Sequence, residues 1–105
     1  MTRRDLPPGS QAVPAAHAAL DFAVAYPEIL IEWHRASNTL VVLAAPDEIA
    51  LSWLCDDAAA SGLRLIRFQE PDLGGALTAV ALEPAARRLV AHLPLALSSR
   101  EEVKT

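Results

Sequence analysis

The sequence is poor in cysteine and lysine, and it contains no long hydrophobic run. It has one cysteine in 105 residues, so no internal disulfide can form. No apolar stretch approaches the roughly 18–20 residues that span a bilayer, and the first residues do not form the apolar segment of a signal peptide. These absences exclude a disulfide-built secreted scaffold and predict a cytoplasmic protein that does not enter a membrane.

Positive charge is also scarce. The chain carries 9 basic residues against 13 acidic ones, which gives a formal net charge of −4 at pH 7. An acidic chain lacks the broad positive field of proteins that bind nucleic acid avidly. Any contact with nucleic acid must therefore come from a local arginine patch.

Metal-site and enzyme signatures are missing as well. No two of the three histidines have metal-ligand spacing on one helical face, and one cysteine cannot complete a zinc pattern. The sequence has no phosphate-binding loop, no nucleophile elbow and no dinucleotide fingerprint. We therefore predict no metal site.

What the sequence does contain is an alternation of helical and extended patterns. Its length fits one compact domain whose core needs no disulfides or metal ions for stability. This domain is predicted over residues 1–97 and is followed by a polar tail over residues 98–105. The spacing predicts helices over residues 11–26, 27–38, 47–61 and from 84, strands over 39–45, 63–70 and 76–83, and a strand stub near 3–6. The fold class is α/β, a small mixed sheet of three to four strands with helices packed on both faces.

Three local signals set the expected ends of the helices. Ser10 is a candidate N-cap of the first helix. Asp47 and Glu48 place negative charge in the first turn of the third helix, where it favours the helix dipole. Gly62 suits the left-handed residue that closes the same helix.

Four residues are candidates for chemistry, and each also has a purely structural interpretation. His17 lies among alanines, so its ring is either accessible from one side or half-buried against the sheet. Glu70 precedes, and Asp72 lies within, a Pro-Asp-x-Gly-Gly segment that is first of all a good turn. Thr78 is an ordinary β-branched residue in a predicted strand. The residues alone favour the structural interpretation for each of the four.

Several short motifs nevertheless occur together in a specific order. The basic-basic-Asp-Leu run at residues 3–6 precedes Gly9, which is followed by Ala-His17-Ala-Ala, and Thr78-Ala-Val-Ala-Leu-Glu-Pro comes near the end. In order and spacing these stretches resemble the archaeal- and eukaryotic-type peptidyl-tRNA hydrolases. The resemblance extends over residues 3–97, and it marks the chain as a divergent, bacterial-looking member.

The resemblance implies an enzyme that hydrolyses the ester between a peptide and the 3′ ribose of tRNA, with peptidyl-tRNA as its partner and no cofactor. His17 matches the histidine of the family's first helix, and Thr78 matches the threonine that opens its last strand. In this interpretation His17 orients a water molecule and Thr78 donates to the developing oxyanion. Arg3, Arg4 and Ser10 would hold the 3′ end of the tRNA.

The chain departs from the family pattern within the predicted site. The lysine and glutamine that the family places after its loop glycine and before its histidine are here Ser10 and Pro14. The segment with the family's catalytic aspartate is replaced by residues 68–75. We therefore expect either Glu70 or Asp72 to supply the carboxylate.

A second departure concerns the first strand. The family has an apolar strand before its basic-basic-Asp run, whereas this sequence has two residues before Arg3. A missing or shortened strand would expose a sheet edge or an apolar face that a partner, the tail or a second copy must cover. We therefore expect a homodimer.

Three functions remain open at this point. The first is peptidyl-tRNA hydrolysis. The second is a catalytically silent module of the same fold that binds tRNA ends or a protein, which the acidic charge and the altered segment over residues 68–75 favour. The third is hydrolysis of a different small ester or amide, because a fold does not fix a substrate.

Overall fold

The computed structural model describes residues 1–97, and the predicted tail over residues 98–105 lies outside the described residues. The elements in chain order are β1 (Thr2–Arg3), α1 (Pro8–Ala25), α2 (Pro27–Ala36), β2 (Ala44–Ala45), α3 (Glu48–Ala60), β3 (Leu65–Glu70), β4 (Ala76–Leu82) and α4 (Arg87–Val90). Short 3₁₀ turns lie at Pro71–Leu73 and Pro84–Ala86. The predicted α/β class is confirmed.

The sheet is mixed, and its shortest strands lie on one side of it. The strand order is β2-β1-β4-β3, with β1 parallel to β2 and antiparallel to β4. Successive residues of a strand face opposite sides of a sheet. In β3, Arg67 contacts Asp56 of α3, whereas its neighbour Phe68 contacts His17 of α1. Helices therefore cover both faces, as predicted.

The main core lies between α3 and the sheet. Its buried members come from β2, α3 and β4, namely Ala45, Leu51, Cys55, Leu77 and Val80. Burial raises the pKa of the Cys55 thiol above its ordinary value, so this side chain packs as a small apolar residue in its protonated form.

Both ends of α3 follow from local sequence: Glu48 lies in the first turn as predicted, whereas Asp47, predicted for the same turn, is the N-cap. The Asp47 carboxylate accepts a hydrogen bond of 2.9 Å from the Ala50 amide, which is the geometry of an N-cap. Gly62 follows the helix with a φ of 77°, a conformation that glycine adopts without strain.

The start of α1 differs from the prediction. The helix begins at Pro8 with Pro7 as the N-cap residue, and no side chain caps it, so the assignment of Ser10 as N-cap is wrong. Proline suits the first helical position because its missing amide would be unpaired there anyway. The helix therefore starts before Ser10, which lies within its first turn.

The predicted strand over residues 39–45 is wrong for most of its length. Only Ala44–Ala45 pair as a strand, because the partner strand β1 is itself two residues long. Leu40 remains 72% exposed. On the outer side of β2, the Ala44 amide donates to the Pro94 carbonyl and the Ala96 amide donates to the Val42 carbonyl. The chain's own segment over residues 94–96 thus covers this sheet edge.

The last helix is shorter than predicted, since α4 has only four residues after the 3₁₀ turn at Pro84–Ala86. Among the helices of residues 1–97, none combines the length and apolar character that a membrane crossing requires.

Candidate active site

A β-bulge lies at Thr78, where β4 carries one residue more than β3. Phe68 pairs with Ala79 and Gln69 pairs with Leu77, so Thr78 has no partner of its own. Bulges are over-represented beside active sites, where they redirect a side chain. The Thr78 side chain is fully buried, and its hydroxyl donates to the Phe68 carbonyl oxygen over 3.4 Å. That distance makes the bond weak.

His17 contacts the ring of Phe68, whereas Thr78 contacts its backbone carbonyl. The two rings are stacked, with centroids 4.8 Å apart and planes within 2° of each other. His17 is exposed, and its ring nitrogens make no hydrogen bond within the part of the chain that the structure describes. Phe68 covers one face of the imidazole, and solvent reaches the rest of the ring. Phe68 therefore contacts both His17, through its side chain, and Thr78, through its backbone.

The two candidate carboxylates occupy different positions. Glu70 is the last residue of β3 and is half-buried, whereas Asp72 lies exposed in the 3₁₀ turn that follows. Glu70 is two residues after Phe68 in the same strand, so alternation places it on the face that α1 covers. Neither carboxylate makes an ion pair or hydrogen bond with another residue of 1–97. Of the two, Glu70 lies on the sheet face that is covered by α1, the helix that carries His17.

Arg3 is held by other residues of the protein. Its guanidinium makes hydrogen bonds of 3.0 and 2.8 Å to the Asp5 carboxylate and one of 3.2 Å to the Leu77 carbonyl, and its side chain is 13% exposed. The hydrogen bonds that Arg3 donates to Asp5 raise the pKa of Arg3 and lower the pKa of Asp5. A phosphate would have to compete with Asp5 for this guanidinium.

Glu48 completes the cluster around Leu77. Its carboxylate accepts a 2.9 Å hydrogen bond from the Leu77 amide and lies 3.8 Å from the Arg3 guanidinium. β1 pairs with β4 at Ala79, and a longer β1 would continue along β4 toward Leu77. The side chains of Arg3 and Glu48 bond the Leu77 backbone in its place. Arg3 and Glu48 thereby fix the residue next to Thr78. No sequence pattern marks Glu48 or Asp5 for such a role.

The other two predicted tRNA-binding residues lie where α1 begins. Arg4 is exposed in the turn after β1, and its side chain pairs with no other residue among 1–97. Ser10 is exposed in the first turn of α1. The structure thus leaves Arg4 and Ser10 accessible to a ligand.

A buried polar pair that sequence reasoning missed joins β1 to α1. The Thr2 hydroxyl donates to the Gln11 side-chain oxygen over 3.2 Å, and the Gln11 amide donates to the Leu6 carbonyl over 2.6 Å. Both side chains are buried. They hold the turn that presents Arg4, and no local pattern marks either of them because they meet only in the folded chain.

No metal site is found among residues 1–97, and an open groove beside α2 lies outside the candidate site. No group of three histidine, cysteine or acidic residues there is arranged to hold a metal ion. One open groove of about 410 Å³ lies beside α2, lined by residues such as Trp33 and Glu83. It contains none of the predicted site residues.

A family model, peptidyl-tRNA hydrolase PTH2, matches residues 2–98 of the chain. The chain belongs to this family. The match spans every predicted site residue, and PTH2 membership implies peptidyl-tRNA hydrolase activity with peptidyl-tRNA as the substrate. None of the curated proteins matches the chain. Among the described residues, no observation favours the catalytically silent alternative.

Proposed function

We propose that this PTH2 protein cleaves the peptidyl-tRNA ester at a site formed by His17, Thr78 and Glu70. The observation that carries the proposal is the contact of Phe68 with both His17 and Thr78, at a bulge in the sheet. It brings an exposed imidazole and a hydroxyl group, from different elements, to the two sides of one residue. His17 and Thr78 are also the positions that carry the family resemblance.

The chemistry needs a base and a hydrogen-bond donor at the ester carbonyl. His17 accepts a proton from water as the water oxygen attacks the carbonyl carbon. Thr78 exchanges its weak bond to Phe68 for one to the developing oxyanion. The bond to the ribose 3′ oxygen then breaks, and the proton passes to that oxygen. Glu70, on the same sheet face, stabilises the protonated imidazole.

The choice of Glu70 over Asp72 is testable by kinetics. Glu70→Gln is expected to lower kcat by about tenfold, because the charge beside the protonated imidazole is lost, whereas Asp72→Asn keeps kcat within about twofold. The measurement is release of a labelled N-acetyl-aminoacyl group from tRNA. Full activity in both variants would refute a catalytic carboxylate here, and loss confined to Asp72→Asn would assign the role to Asp72.

We also propose that Arg4 and Ser10 contact the 3′-terminal phosphates, with Arg3 contributing positive charge from its bonded position. Arg4→Ala should raise KM for peptidyl-tRNA about threefold to tenfold and leave kcat unchanged. The slope of the logarithm of the binding constant against the logarithm of the salt concentration should become shallower by about 1. Arg88→Ala, at an exposed arginine of α4, is the matched control. Equal KM values in the wild type and Arg4→Ala would argue against the contact.

Self-association is proposed on a separate basis. Leu40 and Val41 precede β2 and are exposed, as are Leu20 and Val24 on the outer face of α1. Exposed apolar surface of this kind favours a homodimer. Sedimentation equilibrium is expected to give a mass that rises toward twice the chain mass with concentration. A monomer mass at all concentrations would contradict it.

Peptidyl-tRNA takes part in translation, which supports the cytoplasm as the compartment of this protein. Ser10 and Pro14, at the positions of the family's lysine and glutamine, support a divergent member, and its bacterial character stays a prediction.

A further inference from the structure

We propose that Phe68 is a positioning residue of the hydrolytic site: its ring fixes the plane of the His17 imidazole beside the backbone carbonyl that the Thr78 hydroxyl contacts. This inference rests on the proposed function. It assigns a role within the reaction to a residue that makes no chemical step itself.

The orientation of the His17 imidazole depends on its contact with Phe68. A catalytic histidine needs an orienting partner, and that partner is commonly a carboxylate or carbonyl bonded to one ring nitrogen. Within residues 1–97 the His17 ring has no such bond, and its one aromatic contact is Phe68. The parallel stacking of the His17 and Phe68 rings, with centroids 4.8 Å apart, restricts the imidazole from tilting away from the Phe68 ring. Stacking therefore takes the place of the usual hydrogen bond and leaves both ring nitrogens free.

Phe68 is itself held in place by the sheet. The residue lies in the interior of β3, where it pairs with Ala79 of β4, and its side chain is half-buried. The strand fixes its backbone, so its ring forms a firm support for a side chain from α1. The same backbone position accepts the Thr78 hydroxyl at the bulge. A single strand residue therefore sets the spacing between the two reacting groups.

Two substitutions of Phe68 separate the effect of its ring face from that of its apolar volume. Leucine retains apolar volume but has no ring face, whereas tyrosine retains the ring. Phe68→Leu should lower kcat about tenfold, because small misplacements of a reacting group are costly, while KM changes by less than about twofold. Phe68→Tyr should keep kcat within about twofold of the wild type.

The test combines kinetics with NMR of the imidazole protons. Stacking on a benzene ring shifts the His17 C–H signals upfield, and this shift should disappear in Phe68→Leu and persist in Phe68→Tyr. Phe22→Leu is the matched control, since Phe22 is a buried α1 aromatic that contacts Tyr26. This control should lose stability and keep both kcat and the His17 shifts.

A double-mutant cycle completes the test. If Phe68 acts through His17, adding Phe68→Leu to His17→Ala should lower kcat little further. Additive losses would overturn the proposal, as would Phe68→Leu with wild-type kcat and a lost upfield shift. An inactive wild type would instead refute the proposed function, and with it the positioning role. An active wild type with an indifferent Phe68 refutes the positioning role alone.

Discussion

His17→Ala is expected to lower kcat for peptidyl-tRNA hydrolysis by about a hundredfold, with KM nearly unchanged. The imidazole is the one exposed base that Phe68 brings near the Thr78 bulge. Loss of a general acid–base group typically costs at least that factor. A selective fall in kcat would show that the side chain acts on the reacting atoms instead of binding the tRNA body.

The control for this experiment is His92→Ala. His92 is exposed after α4 and was assigned no role in the site, so its removal should leave both kinetic constants unchanged. Full activity in His17→Ala would refute the catalytic assignment. No turnover by the folded wild type, combined with tRNA binding that weakens with salt and with Arg4→Ala, would instead identify a binding module.

Leu51→Ala is expected to lower the free energy of unfolding by about 2–5 kcal/mol. Leu51 is 0% exposed and lies between α3 and the sheet, in contact with the core that contains Cys55 and Val80. Truncating it removes apolar contacts and leaves a cavity that the surrounding strands fill only in part. For a small domain this is a large share of the total stability.

Urea unfolding followed by circular dichroism measures the effect, which should appear as a lower midpoint with an unchanged slope. Ile49→Ala is the matched control because Ile49 lies on the same helix and is 64% exposed. Its cost should stay within about 0.5 kcal/mol. Equal midpoints for Leu51→Ala and the wild type would contradict the described core.

The parts of the fold that sequence predicts well are those fixed by near neighbours. The bounds of α3 follow from the Asp47 cap, an apolar stripe and Gly62, all within one segment. The prediction of a strand over residues 39–45 is wrong for the opposite reason. Its residues suit a buried strand, but the length of β2 is set by β1, far away in the sequence.

The site divides in the same way. His17 and Thr78 were found because the family pattern marks them. The importance of Phe68 depends on the hairpin register, which inserts an extra residue opposite it, and residue types do not encode that register. The roles of Thr2 and Gln11 could not be predicted for a related reason, since their hydrogen bond forms only when β1 meets α1. The choice between Glu70 and Asp72 likewise needed strand alternation.

The bonding of the Leu77 backbone has a consequence for acid tolerance. Its amide and carbonyl groups are bonded by the side chains of Glu48 and Arg3, and Arg3 is itself held by Asp5. Because Arg3 lowers the pKa of Asp5, this pair contributes stability above the ordinary pKa of an aspartate and loses it as pH falls through the lowered one. Acid strong enough to protonate Asp5 therefore weakens the bonds that hold the strand beside Thr78. Only in solution more acidic than the ordinary pKa of an aspartate should the enzyme lose the order of the residues beside Thr78.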